Sequence, residues 1–119
     1  MNPTTSSKNI HIADDTSFDA QLRAADGPVL IEFSTRRCQP CKVLAPIIDQ
    51  IADETAGRCR VISVDVDDSP RVSTRFGIRS VPTLIAFAGG APRGQLVGIA
   101  RRDAILKLIG IAPGTRAAV

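Results

Sequence analysis

The chain has 119 residues, about one domain's worth, and a chain of this size buries roughly two-thirds of its unfolded surface, so folding requires neither a metal nor a disulfide. It contains no Trp, no Tyr and only 4 Phe, so its core must be largely aliphatic. The net charge is +3, with Lys and Arg spread along the chain and no basic stripe beside stacking aromatics, which argues against a nucleic-acid surface.

No segment approaches the ~18 apolar residues of a membrane span. The opening "MNPTTSSKNI" has no apolar signal-peptide core, so the expected location is the cytoplasm. Residues 1–8 are polar and are expected to form a flexible leading segment, with the folded domain over 9–112 and a flexible tail over 113–119.

"NIHIA" begins the folded part as a short strand, with His11 on its surface. A helix follows, capped by Thr16, with Asp19 in its first turn and Gly27-Pro28 as its stop. "VLIEFS" (Val29–Ser34) is an apolar, β-branched run of the kind found in buried parallel strands. From Cys38 to about Ala56 the period is helical, with Val43, Leu44, Ile47, Ile48, Ile51 and Ala52 on one face and Pro46 inside as a kink site.

"RVISVDV" (Arg60–Val66) is the next strand. Ser69 caps a helix that has Pro70 in its first position and ends near Gly77. "TLIAFA" (Thr83–Ala88), a Gly89-Gly90 turn and "GQLVG" (Gly94–Gly98) read as a hairpin. A last helix runs from Ala100 to Ile109, with Ala104, Ile105, Leu108 and Ile109 on one face. The order β-α-β-α-β-α-β-β-α specifies an α/β fold with one mixed sheet and helices on both faces.

Chemistry concentrates in "STRRCQPCK". A structural zinc site needs four ligands, and beyond Cys38 and Cys41 only Cys59 and His11 remain, without a second close pair. A structural disulfide across so short a loop removes little chain entropy. Three cysteines in a chain without a signal peptide do not make a disulfide framework either. The spacing suits exchange: one thiolate attacks a client disulfide and the second thiol resolves the mixed disulfide. Cys38 falls at the helix N-cap, where free N–H groups and the helix dipole favour a thiolate, so it is the nucleophile. Cys41 lies further inside and is the resolving thiol. Pro40 fits the first helical turn.

The chain resembles the thioredoxin family over about residues 9–110. The resemblance rests on "VLIEFS", "CQPCK", "LAPIIDQIAD", "VDVDDSP", "FGIRSVPTLIAF" and "LVG", in family order. It implies the thioredoxin fold and reduction of protein disulfides through Cys38 and Cys41, with no cofactor beyond that redox-active pair. It also implies disulfide-containing client proteins, a thioredoxin reductase as partner, and a monomer. Pro82 matches the proline that the family holds in cis beside the active site. Val81 matches the residue whose backbone pairs with an extended client, and Gly98 a glycine lining the same groove. Glu32 stands where the family carries a buried acid. Buried without a lysine partner, its pKa should rise, which suits a proton acceptor for Cys41.

Departures from the family pattern are specific. Ser34 and Arg37 replace the tryptophans of the "WAxWCGPC" segment, Gln39 replaces a glycine, and Ser63 stands where a lysine often pairs with the buried acid. The docking lip and the proton relay are both altered. Arg36 and Arg37 are candidates for lowering the Cys38 pKa and steering acidic clients, against a plain role as solvated loop charges. Cys59 reads as a half-buried packing residue, and Asp67 and Asp68 as charges at a helix start. Two other functions fit the same motif: an oxidoreductase with one dedicated client, or a thioredoxin-fold binding or chaperone module of weak redox activity.

Overall fold

In a computed structural model, which describes residues 7–111, nine elements form in the expected order. They are β1 (Ile10–Ala13), α1 (Phe18–Arg23), β2 (Val29–Ser34), α2 (Gln39–Glu54), β3 (Arg60–Asp65), α3 (Pro70–Arg75), β4 (Thr83–Ala88), β5 (Ala91–Val97) and α4 (Arg102–Leu108). The sheet order is β1-β3-β2-β4-β5. β1, β3 and β2 run parallel, and β4 and β5 are antiparallel to their neighbours. The mixed α/β architecture read from the sequence is the one found.

Strand alternation sorts the core into two layers. Leu30, Val61, Leu84 and Ala86 point to one face, under Leu44, Ile48 and Ile51 of α2 and Ile105 of α4. Ile31, Phe33, Ile62, Val64, Ile85 and Phe87 point to the other, under Phe18 of α1 and Val72 of α3. β2 is buried along its whole length, as its unbroken apolar run requires.

Several local expectations are corrected. Thr16 does not cap α1. Its N-cap is Ser17, and the Asp14 carboxylate gathers the loop by accepting from the backbone N–H groups and hydroxyls of Thr16 and Ser17. α1 also stops at Arg23, short of Gly27. Ser69 is the N-cap of α3, but its hydroxyl does not cap. Asp15 does so instead, accepting from the N–H groups of Arg71 and Val72 at 3.1 and 2.9 Å.

On α2, Val43 faces solvent and Ala45 takes a core place. On α4, Ala104 is exposed and Leu106 is buried. β5 begins at Ala91, three residues earlier than its apolar pattern suggests. It lies on the sheet edge, where Pro92 is tolerated because no further strand needs its N–H. The turn before it holds Gly89 and Gly90 at φ +61° and +78°, the paired positive values that a tight hairpin demands.

The expected tails fall mostly outside the described residues. Ser7, within the leading segment, is bonded to α2: its N–H donates to Asp49 Oδ1 at 2.9 Å and its hydroxyl to Asp53 Oδ1 at 2.5 Å. Among the described residues no helix is long and apolar enough to cross a membrane, and no cluster of metal-ligating side chains occurs.

Candidate active site

β2 ends at Ser34 and delivers the chain, through Thr35–Arg37, to the start of α2. Cys38 is the N-cap residue of α2 in extended backbone geometry, with Pro40 in the first turn. Cys38 and Cys41 are joined as a disulfide, with Cα atoms 5.2 Å apart. Their surroundings differ: Cys38 is half-buried and Cys41 is fully buried. The Cys41 N–H donates to Cys38 Sγ at 3.1 Å. A helix N-terminus with one amide aimed at the outer sulfur is suited to hold that sulfur as a thiolate once the bond opens.

Beside the pair lies the loop before β4. The Val81–Pro82 peptide is cis, Pro82 is buried, and the Val81 carbonyl oxygen is 3.6 Å from Cys38 Sγ. The Gly98 N–H donates to the Pro82 carbonyl at 2.8 Å, so the end of β5 completes the same wall. The structure therefore brings Cys38, Cys41, Val81, Pro82 and Gly98 together from three separate segments. Gln39 and Pro40 are exposed beside the disulfide.

Glu32 lies below this surface. It shares its face of the sheet with Leu30, so it points toward the α2 layer, the helix that carries Cys41. It is fully buried, pairs in register with Ser63 and Leu84, and accepts from the Ser63 hydroxyl at 3.2 Å. Its second carboxylate oxygen has no hydrogen-bond partner. Burial raises its pKa from 4.5 to about 7, with the Ser63 hydrogen bond opposing and the Asp49 carboxylate of α2 adding to the rise.

The two arginines separate. Arg36 pairs with Asp68 at 3.0 Å, and Thr35 Oγ1 donates to Asp67 Oδ2 at 2.7 Å, so the loop before Cys38 is fastened to the loop before α3. Arg37 is exposed and forms no ion pair among the described residues. Asp67 and Asp68 thus act on the active-site loop as well as lying near a helix start. Those contacts span 32 positions in the chain, and no local pattern announces them. Val97 and Ile99, on either side of Gly98, expose 59% and 55% of their surfaces, and together make an apolar rim that the sequence reading missed. Cys59 stands apart, buried at the start of β3, and burial pushes its thiol up to about 11.

A buried and a half-exposed sulfur in one helical turn, beside an extended backbone edge, define a thiol–disulfide exchange site. The thioredoxin family model matches residues 9–110. The chain is 38% identical over 98 residues to a chloroplastic M-type thioredoxin of Zea mays, covering 82% of this chain and 59% of that protein. It is 36% identical over 95 residues to a thioredoxin of Rickettsia felis, covering 80% and 90% of the two chains. A solved N21Q thioredoxin from Halobacterium salinarum superposes with a TM-score of 0.76 at 29% identity, covering 92% of this chain and 99% of that one. The chain belongs to the thioredoxin family. It spans 59% and 57% of the full lengths of the maize relative and of a rice M5 relative.

Proposed function

We propose that this protein is a protein-disulfide reductase working by dithiol–disulfide exchange. The observation that carries this is the unequal sulfur pair, with Cys38 reachable at the start of α2 and Cys41 buried behind it. In the reduced protein the Cys38 thiolate attacks one sulfur of a client disulfide, forming a mixed disulfide and releasing the client's other sulfur as a thiolate. Cys41 then loses its proton and attacks Cys38 Sγ, restoring the Cys38–Cys41 disulfide and releasing the second client thiol. Two electrons pass from protein to client, and a thioredoxin reductase restores the dithiol.

Glu32 is the proton acceptor for Cys41 in this reading. A carboxyl that titrates near neutrality can take and return a proton at physiological pH. Ser63 takes the place of a charged partner, so a hydroxyl alone steadies the carboxylate. Clients lie extended against Val81, with Pro82, Gly98, Gln39 and Pro40 lining the groove. Because Arg36 is engaged by Asp68, Arg37 is the charge that favours acidic clients. We place the protein as a monomer in a reducing compartment, the cytoplasm.

Two variants test the division of labour. Cys38→Ser should abolish reduction of a protein disulfide driven by dithiothreitol. Cys41→Ser should accumulate mixed disulfides with clients through Cys38, read by non-reducing electrophoresis. Trapping by the Cys38→Ser protein instead would reverse the two roles, and undiminished reduction in both variants would remove the activity from this site.

A further inference from the structure

A cavity of about 510 Å³ opens at the end of the sheet remote from the disulfide, with His11, Asp26, Gly57, Arg58, Cys59 and Arg60 in its lining. Arg60 begins β3 and Asp65 ends it beside Ser34, so five strand steps, about 17 Å, separate the cavity from the active-site end. It is no part of the exchange site.

Positive charge there lacks a match. One Arg60 guanidinium nitrogen donates to Gln21 Oε1 at 2.5 Å and lies 3.4 Å from His11 Nδ1. Arg60 Nε is buried and has no hydrogen-bond partner. Arg58 donates to the Glu54 backbone carbonyl at 2.9 Å. Neither guanidinium has a carboxylate partner among the described residues. Asp26 is the one carboxylate in the lining, so two guanidiniums face a single negative charge. Burial, and secondarily the charge of Arg60, lower the His11 pKa from 6.5, so the ring is neutral at pH 7 and adds nothing to that charge. Guanidinium groups match carboxylates and phosphates in shape and charge, and these two have no such partner among the described residues.

We propose that this cavity binds a small oxyanion, through the phosphate or carboxylate group of a metabolite-sized ligand, held by Arg58 and Arg60 with the His11 imidazole as a further donor. Gln21 and His11 engage one terminal nitrogen of the Arg60 guanidinium, Nη2, and Nη1 is the nitrogen offered to the ligand. Asp26 offsets one of the two guanidinium charges, so the lining keeps a net positive charge that attracts an anion. Binding stabilises the folded chain by mass action and leaves the disulfide chemistry untouched.

His11 is the chain's one histidine, so its imidazole proton signals are unambiguous in NMR. The full chain is titrated with inorganic phosphate, and separately with citrate, with ionic strength held constant by sodium chloride. The expected result is a saturable shift of the His11 signals, with its apparent pKa rising at saturation because an anion beside the ring favours imidazolium. Saturation by phosphate alone assigns a phosphate ligand, and saturation by citrate alone a carboxylate. Arg60→Gln and Arg58→Gln should each weaken binding by at least about tenfold, the loss of one charged hydrogen bond, with disulfide reductase activity unchanged. If Arg60→Gln fails to fold by circular dichroism, the exposed Arg58 decides alone. Absence of a saturable shift with both anions, or undiminished binding by the Arg58→Gln protein, overturns the site.

Discussion

The two faces of the central sheet solve different problems. One is dry and aromatic: Phe18, Phe33, Phe76 and Phe87, all the phenylalanines of the chain, meet there with ring centroids 5.5 to 5.8 Å apart. Arg75 lies over two of those rings, at 5.6 Å from Phe18 and 5.2 Å from Phe76, and pairs with Asp19 to join α3 to α1. The other face is aliphatic and carries the fully buried carboxylate of Glu32, under the helix that holds Cys41. An interior with no aromatic belt and a half-satisfied acid is a poorer stabiliser but a better place for a titrating group. The difference teaches that stability and chemistry are divided across one sheet, and each side can be attacked separately.

The largest effect should come from the aromatic face. Phe18→Ala, 1% exposed and far from the disulfide, should cost about 3–5 kcal/mol through lost burial and the cavity left behind. Urea unfolding measures the loss, while exchange activity per folded molecule should stay unchanged. A loss below ~1 kcal/mol would mean that the rings do not form the structural half of the comparison.

Glu32→Gln sharpens the opposite face. In the folded protein Glu32 keeps its proton up to about pH 7, whereas the unfolded carboxyl titrates near 4.5. Between those values the folded state binds more protons than the unfolded one, so stability falls as pH rises. The total is on the order of 3 kcal/mol, fully developed above the folded pKa. Relative to the parent, Glu32→Gln should therefore be about neutral at pH 4.5 and more stable at pH 8.5. It should also slow resolution of the mixed disulfide more than its formation, measured by stopped-flow quench. Equal stability at both pH values would place this carboxyl in contact with water.

The smallest effect belongs to the surface. Arg36 and Asp68 are about half exposed, and a double-mutant cycle with Arg36→Ala and Asp68→Ala should return less than ~1 kcal/mol of coupling, weaker still in high salt. Their value lies in positioning the loop before Cys38, so client reduction should fall by more than stability does. A reduction rate that tracks stability alone would leave the pair without that role.

Much of the fold was legible along the chain because its signals are local. A β-branched run names β2, a 3.6-residue period names α2, and Cys-x-x-C at a helix start names its own chemistry. The site residues Val81, Pro82, Gly98 and Glu32 came from the family pattern, since no spacing links them to the cysteines. The exposed Val43 and the buried Ala45 escaped a strictly periodic reading, because the helix face is decided by what packs on it.

Residue order by itself determined the sequence of elements and the Cys38–Cys41 pair, and it set the expectation that Cys38 is the attacking sulfur, since helix-end electrostatics acts within one turn. Tertiary structure alone decided which carboxylate caps α3, how Thr35 and Arg36 find Asp67 and Asp68, and that the Ser63 hydroxyl reaches one Glu32 oxygen while the other has no partner. These contacts join positions 31 to 57 residues apart, and only the parallel register of β2 on β3 and the packing of helices across the sheet bring such groups within hydrogen-bonding reach.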